Sequence, residues 1–126
     1  MFYVGLHQPS DAKHFDHAFI SVNRIRRRKK AIGAGTWIMD SGAFTEIHNH
    51  GLWRSTSAEY AAQIERWRRC GRLHAAVAQD MMCEPHILAK SGLDVARHQE
   101  ITIERYLELR ALTNLTIMPV LQGYHQ

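Results

Sequence analysis

Short apolar runs alternate with longer amphipathic ones along the chain. Phe2 to Leu6 reads as a strand, and Ala18 to Val22 as a second. A helix competes at the second place, because Phe15, Ala18, Phe19 and Val22 also fit helical spacing. Its β-branched and aromatic content favours the strand. Gly33 and Gly35 break the chain before a third strand, Thr36 to Met39. A helix follows, with Thr56 as N-cap and Glu59 at the capping-box spacing. Its apolar face is Tyr60, Ala61, Ile64 and Trp67, and Gly71 stops it. Ala75 to Ala78 is a fourth strand, and Glu84 to Lys90 a short helix with Pro85 in its first turn. Asp94 caps a longer helix to about Leu112, expected to turn Ile103, Tyr106, Leu107 and Ala111 inward. Thr116 to Leu121 is the last strand. Alternating strands and helices predict an α/β fold on a parallel sheet with right-handed crossovers.

Composition narrows the class. Of 126 residues, 45% are hydrophobic and 22% charged, which excludes a disordered tail, a collagen-like repeat and a membrane protein. Lys and Arg number 16 against 12 acidic residues, a net charge of +4 that allows a nucleic-acid partner without establishing one. Cys70 and Cys83 are too few for a disulfide scaffold and lack zinc-ribbon spacing, so reduced thiols are expected. Met1 to Gly5 shows no secretory signal, and no apolar run approaches the ~18 residues of a membrane span. The expectation is a soluble cytoplasmic protein with no membrane partner.

Polar residues recur at one structural position. Asp40, Asp80 and Gln122 each stand just past the carboxyl end of a predicted strand, about one βα unit apart. In parallel α/β proteins that edge binds ligands. Each alone also reads as turn chemistry, since Asp40-Ser41-Gly42 and Gln122-Gly123 are good loop starts. Three in register favour a site. Carboxylates accept hydrogen bonds from N1–H and the exocyclic amine of guanine or a 7-deazaguanine, and an amide can donate to O6. A second carboxylate can hold or move a proton. Phe44 or Tyr124 could stack on the base. A sugar or another polar heterocycle remains open on this chemistry.

These residues resemble the tRNA-guanine transglycosylase superfamily, whose motifs are Asp-Ser-Gly-Gly-Phe, a strand ending in Asp-Glu-Cys, and Gln-Gly-Gly. Here they read Asp40-Ser41-Gly42-Ala43-Phe44, Asp80-Met81-Met82-Cys83-Glu84-Pro85 and Val120-Leu121-Gln122-Gly123-Tyr124. Ala43, the displaced Cys83 and Tyr124 depart from the tRNA pattern and resemble the DpdA-like branch, which places 7-deazaguanine bases in DNA. The runs from Phe2 to His7, from Phe19 to Arg24 and from Cys83 to Lys90 are similar to that branch too. The resemblance implies a TIM barrel and base exchange at a glycosidic bond, on DNA or alternatively on tRNA. It implies Asp40 as the acid/base carboxylate and Asp80 and Gln122 as base-reading residues. Ser41, Gly42, Phe44 and Gly123 fall in the same motifs, and His7, Cys83 and Tyr124 are further pocket candidates. In the tRNA enzymes the covalent nucleophile is an aspartate from a later strand and the zinc site lies later still. Nothing here matches either, so no metal and no cofactor is expected in this chain.

A TIM barrel takes about 250 residues and eight strands. About five strands are predicted here, so an incomplete barrel of about half size is expected over residues 1–126, truncated at its C-terminus. Protein partners or a missing C-terminal half would complete it. A non-catalytic fragment that binds a nucleobase or nucleic acid is the rival reading.

Arg24, Arg26, Arg27, Arg28, Lys29 and Lys30 form a basic block. It is either a solvated loop or a set of phosphate contacts. Arg66, Arg68, Arg69 and Arg72 read as the polar face and C-terminal charge of the helix that Thr56 caps. His48-Asn49-His50 invites a nuclease or metal reading, but is expected in a loop before Gly51 without the context either needs.

Overall fold

A computed structural model describes residues 2–123 of the chain. Five strands form one all-parallel sheet: β1 (Val4–Leu6), β2 (His17–Ser21), β3 (Thr36–Asp40), β4 (Arg72–Val77) and β5 (Thr116–Met118). The helices are α1 (Val22–Ile25), α2 (Ala43–His50), α3 (Ser57–Trp67), α4 (Pro85–Ser91) and α5 (Val95–Leu112), with a 3-10 turn at Pro9–His14. The second apolar run is therefore a strand. Val22 leaves it to open α1, whose N-cap Ser21 accepts from the Asn23 amide.

Strand order is β1-β2-β3-β4-β5, so each strand lies beside the one before it. A doubly wound sheet reverses its order at a switch point. This sheet does not, and its winding is that of a partial TIM-barrel-like α/β fold. On the face toward the helices, Ile20, Met39, Ala76 and Ile117 align across four strands, and all are buried. The stripe Tyr60, Ala61, Ile64 and Trp67 of α3 packs on them. The opposite face carries half-buried Phe19 and Ser21 and exposed Thr116 and Met118. A smaller core of Ala43, Ile47, Trp53, Met81 and Ile87 joins α2 to α4.

The capping box of α3 is present: Thr56 Oγ1 accepts from the Glu59 amide at 3.0 Å, and Glu59 returns the bond to the Thr56 amide at 3.1 Å. Asp94 caps α5 through the Arg97 amide at 2.8 Å. Both cysteines are free, and the Cys70 thiol clips Ile32 by bonds to both its amide and its carbonyl.

Three expectations are corrected. The chain from Ala43 to His50 is a helix, so His48-Asn49-His50 is its last turn and not a loop. β5 stops at Met118, ahead of Pro119, which cannot donate to a ladder. The third concerns α5. Ile103 and Leu107 are each 57% exposed, Ala111 is exposed too, and Tyr106 alone of the expected set packs on the core. The inward line is instead His98, Thr102, Arg105 and Leu109, at helical spacing but mostly polar. Its upper part meets loop backbone, which requires hydrogen-bond partners rather than apolar cover.

Candidate functional site at the carboxyl ends of the strands

Asp40 is the last residue of β3 and stands beside Ser21 of β2. The turn behind it is tight. Gly42 takes φ +79°, and a Cβ there would collide with the Asn23 carboxamide, so glycine is required. The Gly42 amide donates to Asp40 Oδ2 at 3.1 Å. Burial pushes the Asp40 carboxyl above its ordinary value, partly offset by hydrogen bonds from the Gly42 and Ser41 amides.

Asp80 lies three residues beyond β4 and is 7% exposed. Its Oδ2 accepts from Gln122 Nε2, so these two predicted residues meet. Burial raises the Asp80 carboxyl, the Gln122 bond opposes this, and the charges of Asp40 and Glu84 add to the rise. Tyr60 ties the two aspartate segments together from below. Its hydroxyl donates to the Val77 carbonyl at 2.8 Å and lies 3.5 Å from that of Met39, at the ends of β4 and β3. Burial, then the fields of Asp40 and Asp80, hold this phenol well above its ordinary range. The three groups thus share one electrostatic environment.

A depression of about 260 Å³ opens beside Asp40, lined by Gly5, Leu6, His7, Phe19, Ser21 and Arg24. The Arg24 guanidinium donates to His7 Nδ1 at 2.8 Å, which leaves the imidazole proton on Nε2. Gln122 lines a second depression of about 250 Å³, with Gln99, Thr102, Ile103, Val120 and Leu121. Asp80 is enclosed and lines neither depression.

The other candidates separate. Ser41 is buried and its Oγ has no partner among the described residues; the same holds for Glu84 Oε2. Phe44 is 69% exposed and stacks on His48, with ring centroids 5.5 Å apart. It is absent from the lining of the Asp40 depression. Cys83 is fully buried, and burial, then Glu84 and Asp80, raise its thiol, which disfavours the thiolate. Gly123 is exposed, and Tyr124 lies outside the described residues.

The basic block divides as well. Arg24 reaches the mouth. Arg26 and Arg27 line a cleft of about 530 Å³ with Asn23, Glu46, Arg54, Ser55 and Glu59. Arg28 turns back on the carbonyls of Lys30 and Ala31 and so shapes its own loop, while Lys29 and Lys30 are exposed. Arg66 leaves the polar face of α3 to donate to the Arg26 carbonyl at 2.9 Å. Among the described residues, no group of three or more His, Cys, Asp or Glu stands as a metal cluster.

Sequence reasoning passed over Tyr60, Trp53, His98 and Thr102 as parts of this site. Tyr60 was legible only as core. Its hydroxyl was the signal, because a buried phenol needs a partner.

Two carboxylates and an amide thus stand at or beyond the carboxyl edge of a sequentially wound, partial TIM-barrel-like α/β sheet. A family model described as DpdA, DeoxyPurine in DNA protein A, matches residues 1–126, and the chain belongs to that family. No curated protein and no solved structure matches it. Among the described residues, no helix is long and apolar enough to cross a membrane.

Proposed function

We propose that the chain carries the base-recognition part of a transglycosylase that replaces guanine in DNA with a 7-deazaguanine derivative. The observation that carries this reading is the Asp80–Gln122 pair beside Asp40 at the strand ends of a DpdA-family chain. The base enters by the depression that Gln122 lines, Gln122 turns from Asp80 to donate to O6, and the uncovered Asp80 carboxylate accepts from N1–H and the 2-amino group. Asp40 holds the proton that moves as one base leaves C1′ and the other arrives. Burial raises its carboxyl above the ordinary value, which makes it easier for the group to take up a proton. The unpartnered Ser41 Oγ and Glu84 Oε2 beside the two aspartates leave further polar capacity for a ligand. Arg24, Arg26 and Arg27 meet the phosphates that flank the target nucleotide.

The test is nucleoside mass spectrometry of DNA and tRNA after incubation with the full-length protein and a 7-deazaguanine base. A 7-deazaguanine deoxynucleoside in DNA, absent with Asp40→Asn, is the expected result. Incorporation into tRNA alone moves the substrate to RNA. Base binding without incorporation into either polymer supports the non-catalytic rival.

A further inference from the structure

Asp80, Met81 and Met82 follow β4, where the sheet ladder no longer holds the backbone. Each nevertheless gives one main-chain group to a side chain from elsewhere. The Asp80 carbonyl accepts from Trp53 Nε1 at 3.1 Å. The Met81 amide donates to Thr102 Oγ1 at 2.9 Å. The Met82 carbonyl lies 2.7 Å from His98 Nδ1, and a carbonyl only accepts, so the imidazole proton is on that nitrogen.

The two α5 groups are themselves fixed. The Thr102 hydroxyl donates to the His98 carbonyl at 2.9 Å, and both side chains are buried. His98 Nε2 is then free to accept from the Ser91 hydroxyl, 2.7 Å away at the end of α4. Hydrogen bonds thus run without a break from the Met81 amide through Thr102 and His98 to Met82 and Ser91, and each bond restrains the loop. The adjacent turn of α5 repeats the pattern, with Arg105 donating to Gln79 Oε1 at 3.1 Å and to the Ser55 carbonyl at 2.7 Å. Asp80 is the charged residue that this scaffold presents, and Gln122 touches its far side.

We propose that Thr102 and His98 are positioning residues that set the angle at which Asp80 reads a base. They touch no ligand and act through the main chain of Met81 and Met82. The inference rests on the base-reading role given to Asp80 above. A carboxylate reads N1–H and the 2-amino group together only when both oxygens lie in the plane of the base. A small rotation of the loop loses one of the two contacts while the pocket survives.

The test compares affinities for 7-deazaguanine and 7-deazahypoxanthine, which lacks the 2-amino group, in wild type, Thr102→Val, Thr102→Ser and Asp80→Asn. A charge-assisted contact is worth about 1.5–3 kcal/mol, so wild type is expected to prefer 7-deazaguanine by roughly 10- to 150-fold. Thr102→Val keeps the shape but loses the hydroxyl, and its preference is expected to fall about tenfold. Thr102→Ser restores the hydroxyl and is expected to stay within about twofold of wild type. His98→Leu, which keeps bulk but removes the donor to the Met82 carbonyl, is expected to lower the preference as Thr102→Val does, and gives the reading if Thr102→Val is too unstable to measure. Equal weakening for both bases in Thr102→Val, or an unchanged preference, overturns the positioning role. A wild type that binds both bases without preference, or neither, overturns the base reading itself.

Discussion

Helices α3 and α5 lie side by side on the same sheet face, yet they bury different chemistry. α3 turns Tyr60, Ala61, Ile64 and Trp67 onto strands whose backbone groups are already paired with one another. Only apolar area remains to be covered there, and an apolar stripe covers it. α5 starts over the loop after β4, where amides and carbonyls have lost their ladder partners. It therefore buries His98, Thr102 and the stem of Arg105 before reaching the core with Leu109. The difference teaches that the face of a helix is chosen by what lies beneath it. Beneath α3 that is sheet, and beneath the first half of α5 it is the segment that carries Asp80.

The comparison breaks most visibly at α3. Ile64→Ala is expected to cost about 2–5 kcal/mol by removing a fully buried branched side chain, read as a shift in the urea midpoint. A cost comparable to a surface change would show that the α3 stripe is not the main contact. At the junction of the two helices, Asp80→Asn tests the buried charge. The Asp80 carboxyl is raised in the fold, so its contribution to stability is fully present at low pH and is lost as pH rises through that raised value. The asparagine variant still accepts from Gln122, and is expected to melt higher than wild type at neutral pH. The gap is expected to close as pH falls below the ordinary carboxylate range. A lower melting temperature for the variant at neutral pH contradicts the assignment. The smallest effect belongs to the outward side of α5. Leu107→Lys is expected to change stability by no more than about 0.5 kcal/mol. A loss of several times that would put Leu107 back in the core.

The same contrast explains what could be read from the amino acids alone. The end of β3 at Asp40 and the chain just past β4 at Asp80 were legible because apolar runs stop there in favour of turn chemistry. α3 was legible because its cap and stripe agree. α2 was not, because Asp40-Ser41-Gly42 reads as a turn and only Ala43 and Ile47 of the helix are buried. The inner face of α5 was hidden by its own polarity, since hydrophobic periodicity ranks Ile103 and Leu107 above His98 and Thr102. The union of Asp80 with Gln122 could be guessed from their matching places after successive strands. The support from Trp53, Thr102 and His98 could not, because it depends on which side chains reach three particular backbone groups.

The strand order β1-β2-β3-β4-β5 also has a temporal meaning. Each strand pairs with the one synthesised just before it, so the sheet can grow by addition at one edge as the chain emerges. Tyr60 can join β3 to β4 before α5 exists, and α5 can then order the loop after β4. Gln122, 42 residues beyond Asp80, is the last piece to arrive. Synthesis therefore delivers Asp40 first, the loop of Asp80 and its α5 supports next, and Gln122 after them.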